Sequence, residues 1–163
     1  MTTNVLVLCT GNSARSILGE VLINDLGSGR CQGFSAGSQP VGQVNPGAIT
    51  KLTIEGHAVD GLESKSWDRF SGPHAPRIDI VLTVCDNAAG ETCPLWNGAP
   101  VTVHWGIADP AENGDFETAY ARLRRRVKAM VALPLENLDA PELARALRDI
   151  HDHAVAAEHL SSR

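Results

Sequence analysis

Short apolar runs alternate along the chain with longer segments in which apolar residues recur at helical spacing. Residues 5–8, "VLVL", are wholly apolar and branched, which is typical of a buried strand. The segment after them carries apolar residues three or four positions apart, namely Ile17, Leu18, Val21, Leu22 and Leu26. This spacing predicts one buried helix face, so the chain begins with a strand, a turn and a helix.

The same alternation predicts three more strands and three more helices. The strands cover residues 32–36, 79–84 and 100–105. The helices run from Pro46, capped by Asn45, to Glu55, over residues 115–132, and onward from Pro141. A short helix is also considered within residues 85–98. Strands separated by helices predict an α/β fold with a doubly wound parallel sheet, whose functional site lies at the carboxyl ends of the strands.

Composition narrows the class of protein. With 163 residues, 43% of them hydrophobic, the chain can bury one ordinary core, which predicts a single domain. The net charge of -5 gives no overall basic field, and the run "RLRRRVK" at 122–128 is predicted to be the solvated face of a helix. No apolar stretch is long enough to span a bilayer and no leader-like N-terminus is present. We therefore expect a cytoplasmic protein that binds neither nucleic acid nor membrane.

The segment "CTGNSARS", residues 9–16, joins the first strand to the first helix. In such a loop the backbone N–H groups converge on one position beside a helix N-terminus, which favours a bound anion. The Arg15 guanidinium can add two parallel hydrogen bonds, as a tetrahedral oxyanion accepts. The predicted oxyanion-binding residues are Thr10, Gly11, Asn12, Ser13, Ala14, Arg15 and Ser16. The same field lowers a cysteine pKa from about 8.5 to within about 3.5 to 7.5, which predicts a thiolate nucleophile at Cys9. The alternative is that Cys9 is a small buried hydrophobe.

A carboxyl group follows the last predicted strand in "HWGIADPA". A thiolate that attacks a phosphate-like centre needs a proton donor for the departing oxygen, and Asp109 stands where it can reach the first loop. Pro110 fixes the next backbone angle and stiffens the loop that presents Asp109. Taken alone, Asp-Pro is more often the start of a turn, and His104 is interpreted as structural.

Two further cysteines follow the strand at 79–84. Cys85 is predicted to approach Cys9, and Cys93 lies eight residues further on. If these residues form a helix, the two Cα atoms lie about 12 Å apart, beyond the roughly 7 Å that a disulfide spans. Gly90 and Pro94 favour local unwinding, and the arrangement suggests a redox relay. The alternative is a pair of unrelated buried thiols.

Four segments carry a family resemblance: "VLVLCTGNSARS", "FSAGSQP", "DIVLTVCDNAAGETCP" and "HWGIADPA". They resemble the arsenate reductases related to low-molecular-weight protein tyrosine phosphatases. The resemblance covers roughly residues 4–132 of a single domain, 1–163, and leaves a C-terminal helical extension at about 141–160. It implies a four-stranded parallel sheet flanked by helices.

The resemblance also implies a reaction. Cys9 is the nucleophile, Arg15 and the loop amides hold the oxyanion, and Asp109 is the acid. Cys9 attacks arsenate, Cys85 attacks Cys9 to release arsenite, and Cys93 attacks Cys85. The resulting disulfide is reopened by thioredoxin, or by glutaredoxin with a low-molecular-weight thiol.

Some positions depart from the family pattern. Seven residues separate Cys85 from Cys93, one more than in thioredoxin-linked relatives, which leaves the reductant open. Some relatives bind potassium beside the loop, and Asn12, Glu20 and Ser35 match three of the ligands. "SKS" at 64–66 stands where the fourth, an aspartate, is expected, so we predict that Lys65 takes the place of the cation and that no metal or cofactor is required.

Two other functions remain open at this stage. The first is a phosphatase for phosphotyrosine or small phosphoesters that uses Cys9, Arg15 and Asp109 alone. Against it, Ala111 stands where such enzymes usually carry aromatics after Asp-Pro, and the chain has one tyrosine. The second is a non-enzymatic arsenic or phosphate sensor. The C-terminal histidines are interpreted as surface residues: His151, His153 and His159.

Overall fold

The computed structural model describes residues 2–85, 90, 96–98 and 100–161. Its sheet is parallel throughout, in the order β2-β1-β3-β4. The strands are β1 (Thr3–Leu8), β2 (Cys31–Ala36), β3 (Ile80–Thr83) and β4 (Val101–His104). The helices are α1 (Arg15–Gly27), α2 (Pro46–Ile54), α3 (Pro110–Asn113), α4 (Phe116–Val131) and α5 (Ala140–Ser161), with 3-10 turns at Trp67–Phe70 and Leu135–Asn137. The predicted doubly wound α/β fold is confirmed.

The central position of β1 explains its sequence. It pairs with β2 on one side and β3 on the other, so its residues 5–8 are buried on both faces. Parallel strands that are covered by helices on both faces have continuous apolar sequences. The same holds for β3, all four residues of which are buried.

The predicted start of α2 is confirmed in detail. Asn45 is the N-cap, and its side chain accepts a hydrogen bond of 2.8 Å from the backbone N–H of Gly47. Pro46 occupies the first turn, where it gives up no helical hydrogen bond. Gly56 follows the helix with φ +86°, a left-handed conformation that glycine adopts without strain.

The C-terminal helix α5 packs against α4 and β4. Its Leu147 is fully buried, and the Leu147 carbonyl accepts a buried hydrogen bond of 2.9 Å from Trp105 Nε1. None of the described helices is apolar over the length needed to cross a bilayer.

The predicted solvated face at 122–128 is wrong for Arg126. Its side chain is 1% exposed, because α5 covers this part of α4 and brings Glu158 against it. Nη1 and Nη2 donate to the two Glu158 carboxylate oxygens at 2.7 and 3.0 Å. Arg124, Arg125 and Lys128 are exposed, as predicted.

Candidate active site

A cavity of about 760 Å³ opens where β1, β3 and β4 end. It is lined by Cys9, Thr10, Gly11, Arg15, Cys85, His104, Gly106, Ile107, Ala108, Asp109, Glu112 and His151. The fold therefore brings Cys9, Arg15, Cys85 and Asp109 to one place, at the sheet edge that the strand order predicts. Cys93 and most of the candidate helix at 85–98 lie outside the described residues.

Three carbonyl groups of the loop after β1 accept hydrogen bonds from the backbone of residues 39–45. These bonds run from Gln39 N to Thr10 O at 3.0 Å, from Val41 N to Gly11 O at 3.1 Å and from Asn45 N to Ser13 O at 2.9 Å. In a planar trans peptide the N–H points away from the preceding C=O. Since three loop carbonyls face outward, the amides of Gly11, Asn12 and Ala14 face the inside of the loop, as an oxyanion cradle requires.

Asn12 carries the strained conformation of the loop. Its φ is +45°, in the left-handed region, whereas Gly11 has an ordinary φ. The Asn12 side chain donates to Ser16 Oγ at 2.7 Å and accepts from Lys65 N at 2.8 Å, so it is fixed from two sides. Asn12, Ala14 and Ser16 are all buried.

Arg15 and Asp109 form an ion pair in the lining of the cavity. Arg15 Nη1 donates to the Ile107 carbonyl at 2.8 Å, which aims the guanidinium at the loop after β4, and Nη2 lies 3.6 Å from Asp109 Oδ2. Asp109 is also the N-cap of α3, because its Oδ1 accepts from Ala111 N at 2.9 Å. One oxygen of this carboxyl therefore caps the helix, while the other faces the cavity.

The two described cavity thiols are in contact. Cys9 and Cys85 are hydrogen-bonded to each other, and Thr10 N donates to Cys85 Sγ at 3.3 Å. The hydrogen bond with Cys85, followed by burial, raises the pKa of Cys9 above its ordinary value, while Arg15 and the Gly11 amide act in the opposite direction. The predicted lowering of the Cys9 pKa is thus wrong for this arrangement, because the fold places a second thiol against the first.

Lys65 reaches the position that the sequence suggests for it. Its Nζ lies 3.4 Å from Glu20 Oε1, 3.3 Å from Ser35 Oγ and 3.1 Å from the Glu63 carbonyl. Ser35 in turn donates to Glu20 at 2.7 Å. Across the described parts of the chain, no three His, Cys, Asp and Glu side chains are grouped to hold a metal ion.

Sequence reasoning assigned no part in the site to Gly37 or His151. Gly37 follows β2 directly under the loop, and a Cβ there would meet the carbonyl oxygens of Thr10 and Cys9. His151 of α5 was predicted to lie on the surface, and this is wrong, because it is partly buried and lines the cavity. His153 and His159 are exposed, as predicted.

Comparison with known proteins agrees with this geometry. The chain matches the family described as low molecular weight phosphotyrosine protein phosphatase over residues 4–142. An arsenate reductase of Halalkalibacterium halodurans is 35% identical over 119 residues, which cover 72% of this chain and 82% of that protein. The crystal structure of arsenate reductase from Archaeoglobus fulgidus is 25% identical with a TM-score of 0.65, and the match covers 79% of this chain and 99% of that one.

A phosphatase shares the fold as well. The tyrosine phosphatase Wzb from Escherichia coli K30, solved in complex with sulphate, has a TM-score of 0.63 over 81% of this chain and 98% of its own. At 21% identity this likeness is one of fold alone. The match over residues 4–142 spans most of the chain, including the loop, Cys85 and Asp109. This chain belongs to the low-molecular-weight phosphotyrosine protein phosphatase family.

Proposed function

We propose that the protein reduces arsenate to arsenite by thiol chemistry that begins at Cys9. The observation that carries this proposal is the second thiol: Cys85 is hydrogen-bonded to Cys9 inside the oxyanion cavity. Phosphoester hydrolysis needs one nucleophilic thiol, whereas reduction of As(V) to As(III) needs two electrons, which a pair of thiols supplies by forming a disulfide. The similarity to arsenate reductases supports the same choice.

In the first half of the reaction, Cys9 attacks the arsenic atom of arsenate held by the loop amides and Arg15. The S–As bond forms as an oxygen of arsenate leaves, and Asp109 donates the proton that this oxygen takes as water. The position of Asp109 supports this role, since the carboxylate oxygen that does not cap α3 lies at the cavity, 3.6 Å from Arg15 Nη2.

In the second half, Cys85 attacks the sulfur of Cys9. A Cys9–Cys85 disulfide forms, the S–As bond breaks, and its electron pair reduces the arsenic, which leaves as arsenite. Cys93, outside the described residues, then attacks Cys85 and frees Cys9. Thioredoxin, or glutaredoxin with a low-molecular-weight thiol, reopens the Cys85–Cys93 disulfide. Detoxification of arsenic in the cytoplasm is part of the same proposal.

Phosphatase activity is the second candidate, because Cys9, Arg15 and Asp109 line the cavity together. No Phe, Tyr or Trp side chain is among the described residues that line it. A phosphotyrosine ring would therefore find no phenyl, phenol or indole ring to pack against there, and we expect only weak hydrolysis of phosphoesters.

The test is arsenite release by the wild type and by Cys9→Ser, Cys85→Ser and Cys93→Ser, with Cys31→Ser as a control at a buried thiol outside the cavity. Thioredoxin and glutaredoxin systems are supplied separately, which identifies the electron donor. We expect no product from Cys9→Ser and no turnover by Cys85→Ser. In Cys93→Ser we expect a single turnover that leaves the Cys9–Cys85 disulfide. Full turnover by Cys93→Ser would refute the relay, and phosphoester hydrolysis without arsenate reduction would favour the phosphatase.

A further inference from the structure

The C-terminal helix forms part of the active-site wall. The family match ends at residue 142, the third residue of α5, so nearly all of this helix lies beyond the shared domain. Even so, His151 of α5 lines the same cavity as Cys9, Arg15 and Asp109.

The turn of α5 that presents His151 is tied to the shared domain. Trp105, which follows β4, donates its indole N–H to the carbonyl of Leu147, one helical turn before His151. Both residues are almost completely buried. Two turns after His151, Glu158 accepts hydrogen bonds from the Arg126 guanidinium. His151 thus stands between two anchors, which limits the positions that its ring can take.

Arg126 also sets the protonation of the ring. Its Nε donates to His151 Nδ1 at 3.1 Å, and a guanidinium has no acceptor atom. Nδ1 must therefore carry its lone pair, and the proton of the neutral ring is on Nε2. Burial, and after it the positive charge of Arg126, lowers the pKa of His151, so the neutral form with an Nε2–H donor prevails at neutral pH.

The cavity around His151 contains both signs of charge. Arg15 carries the positive charge, and Asp109 and Glu112, at and in α3, carry carboxyl groups. His104 also lines the cavity, and its Nδ1 is hydrogen-bonded to Thr83 Oγ1 at 2.8 Å. The donors of the loop and Arg15 come from the end of β1 and the start of α1, whereas His151 comes from α5. A tetrahedral oxyanion also presents oxygens that face away from the loop, and these need donors from another wall.

We propose that His151 supplies such a donor: its Nε2–H binds the outward oxygens of the oxyanion, or the water bound to them, and α5 thereby completes the active site. The proposal rests on the proposed function only in taking a tetrahedral oxyanion as the ligand. Arsenate is the substrate form of that ligand, and inorganic phosphate is a stable probe of the same geometry.

The test measures phosphate affinity of the full-length reduced protein by calorimetry. His151→Phe removes the donor, and we expect affinity to fall roughly threefold to tenfold, the usual value of one hydrogen bond. His151→Gln keeps an acceptor for Arg126 and a donor for the ligand, so it should retain most of the affinity. His153→Phe, on the exposed side of the same helix, is the matched control and should bind as the wild type does.

A second measurement does not depend on the variants folding. Nitrogen NMR of the wild-type imidazoles should show His151 as the Nε2–H tautomer and should show its signals shifting when phosphate is added. Unchanged affinity in His151→Phe, with binding lost in Arg15→Ala, would overturn this inference and leave the proposed function standing. Absence of phosphate binding by the wild type would instead overturn the oxyanion site, and the proposed function with it.

Discussion

The two walls of the active site are held by different kinds of interaction. The loop at 9–16 is fixed by backbone carbonyls that accept hydrogen bonds from residues 39–45, together with the Asn12 side chain. The opposite wall, at His151, is fixed by contacts between residues far apart in the sequence: the hydrogen bond from Trp105 to the Leu147 carbonyl, 42 residues on, and the ion pair of buried Arg126 with Glu158, 32 residues on. Backbone geometry requires particular residues at consecutive positions, which makes the loop visible as a motif. A contact between two distant helices leaves no such pattern.

The largest loss of unfolding free energy is expected from Glu158→Gln, which removes the carboxylate that pairs with Arg126. Arg126 is 1% exposed and would keep its charge without a carboxylate to balance it. Loss of one partner from a buried pair costs about 3 kcal/mol of unfolding free energy. Chemical denaturation measures this cost. The control is Glu136→Gln, because the pair of Glu136 with Arg30 is exposed on both sides, and such pairs contribute about 0.5 kcal/mol. Equal losses in both variants would contradict the conclusion that the pair of Arg126 with Glu158 holds α5 in place.

Gly37→Ala should destabilise the loop wall, with a smaller loss of unfolding free energy than Glu158→Gln causes. A Cβ at this position would lie 2.7 Å from the carbonyl oxygen of Cys9, a backbone atom that cannot move aside without shifting the loop. We expect a loss of about 2 kcal/mol in stability and weaker phosphate binding. Gly61→Ala is the control, since its φ of +82° causes strain but its Cβ would meet nothing within 4 Å. That variant should lose about 1 kcal/mol and bind phosphate normally.

The difference between the two walls also explains which features of the fold and the site the sequence predicts. Apolar spacing predicts the strands, and Asn45-Pro46 predicts the start of α2, because both signals are local. The parallel topology then brings Cys9, Cys85 and Asp109 to one sheet edge. The helical spacing also indicates that Arg126 is buried, because it lies three positions after the buried Leu123 and so on the same face of α4. What no local pattern contains is the partner of Arg126 on a helix that begins nine residues after α4 ends.

The pKa of Cys9 is another property that the loop sequence does not predict. The loop alone favours a thiolate, but the hydrogen bond with Cys85 is the main cause of the raised pKa. In Cys85→Ala the pKa of Cys9 should fall, so more thiolate is present at a given pH and alkylation of Cys9 begins at a lower pH. Mass spectrometry after iodoacetamide treatment measures the profile. Cys31→Ala should leave it unchanged, and a profile unmoved by Cys85→Ala would show that the loop sets the pKa by itself.

The smallest effect is expected from Lys65→Met, which removes the ammonium group behind the loop. Glu20 would keep its 2.7 Å hydrogen bond from Ser35, and the contacts of Nζ are longer, so we expect a loss of about 1 kcal/mol in stability. The vacated position is lined by oxygen atoms, which suit a potassium ion. Potassium chloride should therefore stabilise Lys65→Met more than tetramethylammonium chloride of equal ionic strength does, and the two salts should act alike on the wild type. If the two salts act alike on the variant as well, Lys65 does not take the place of a cation, and its contribution is limited to the loop contact with Asn12.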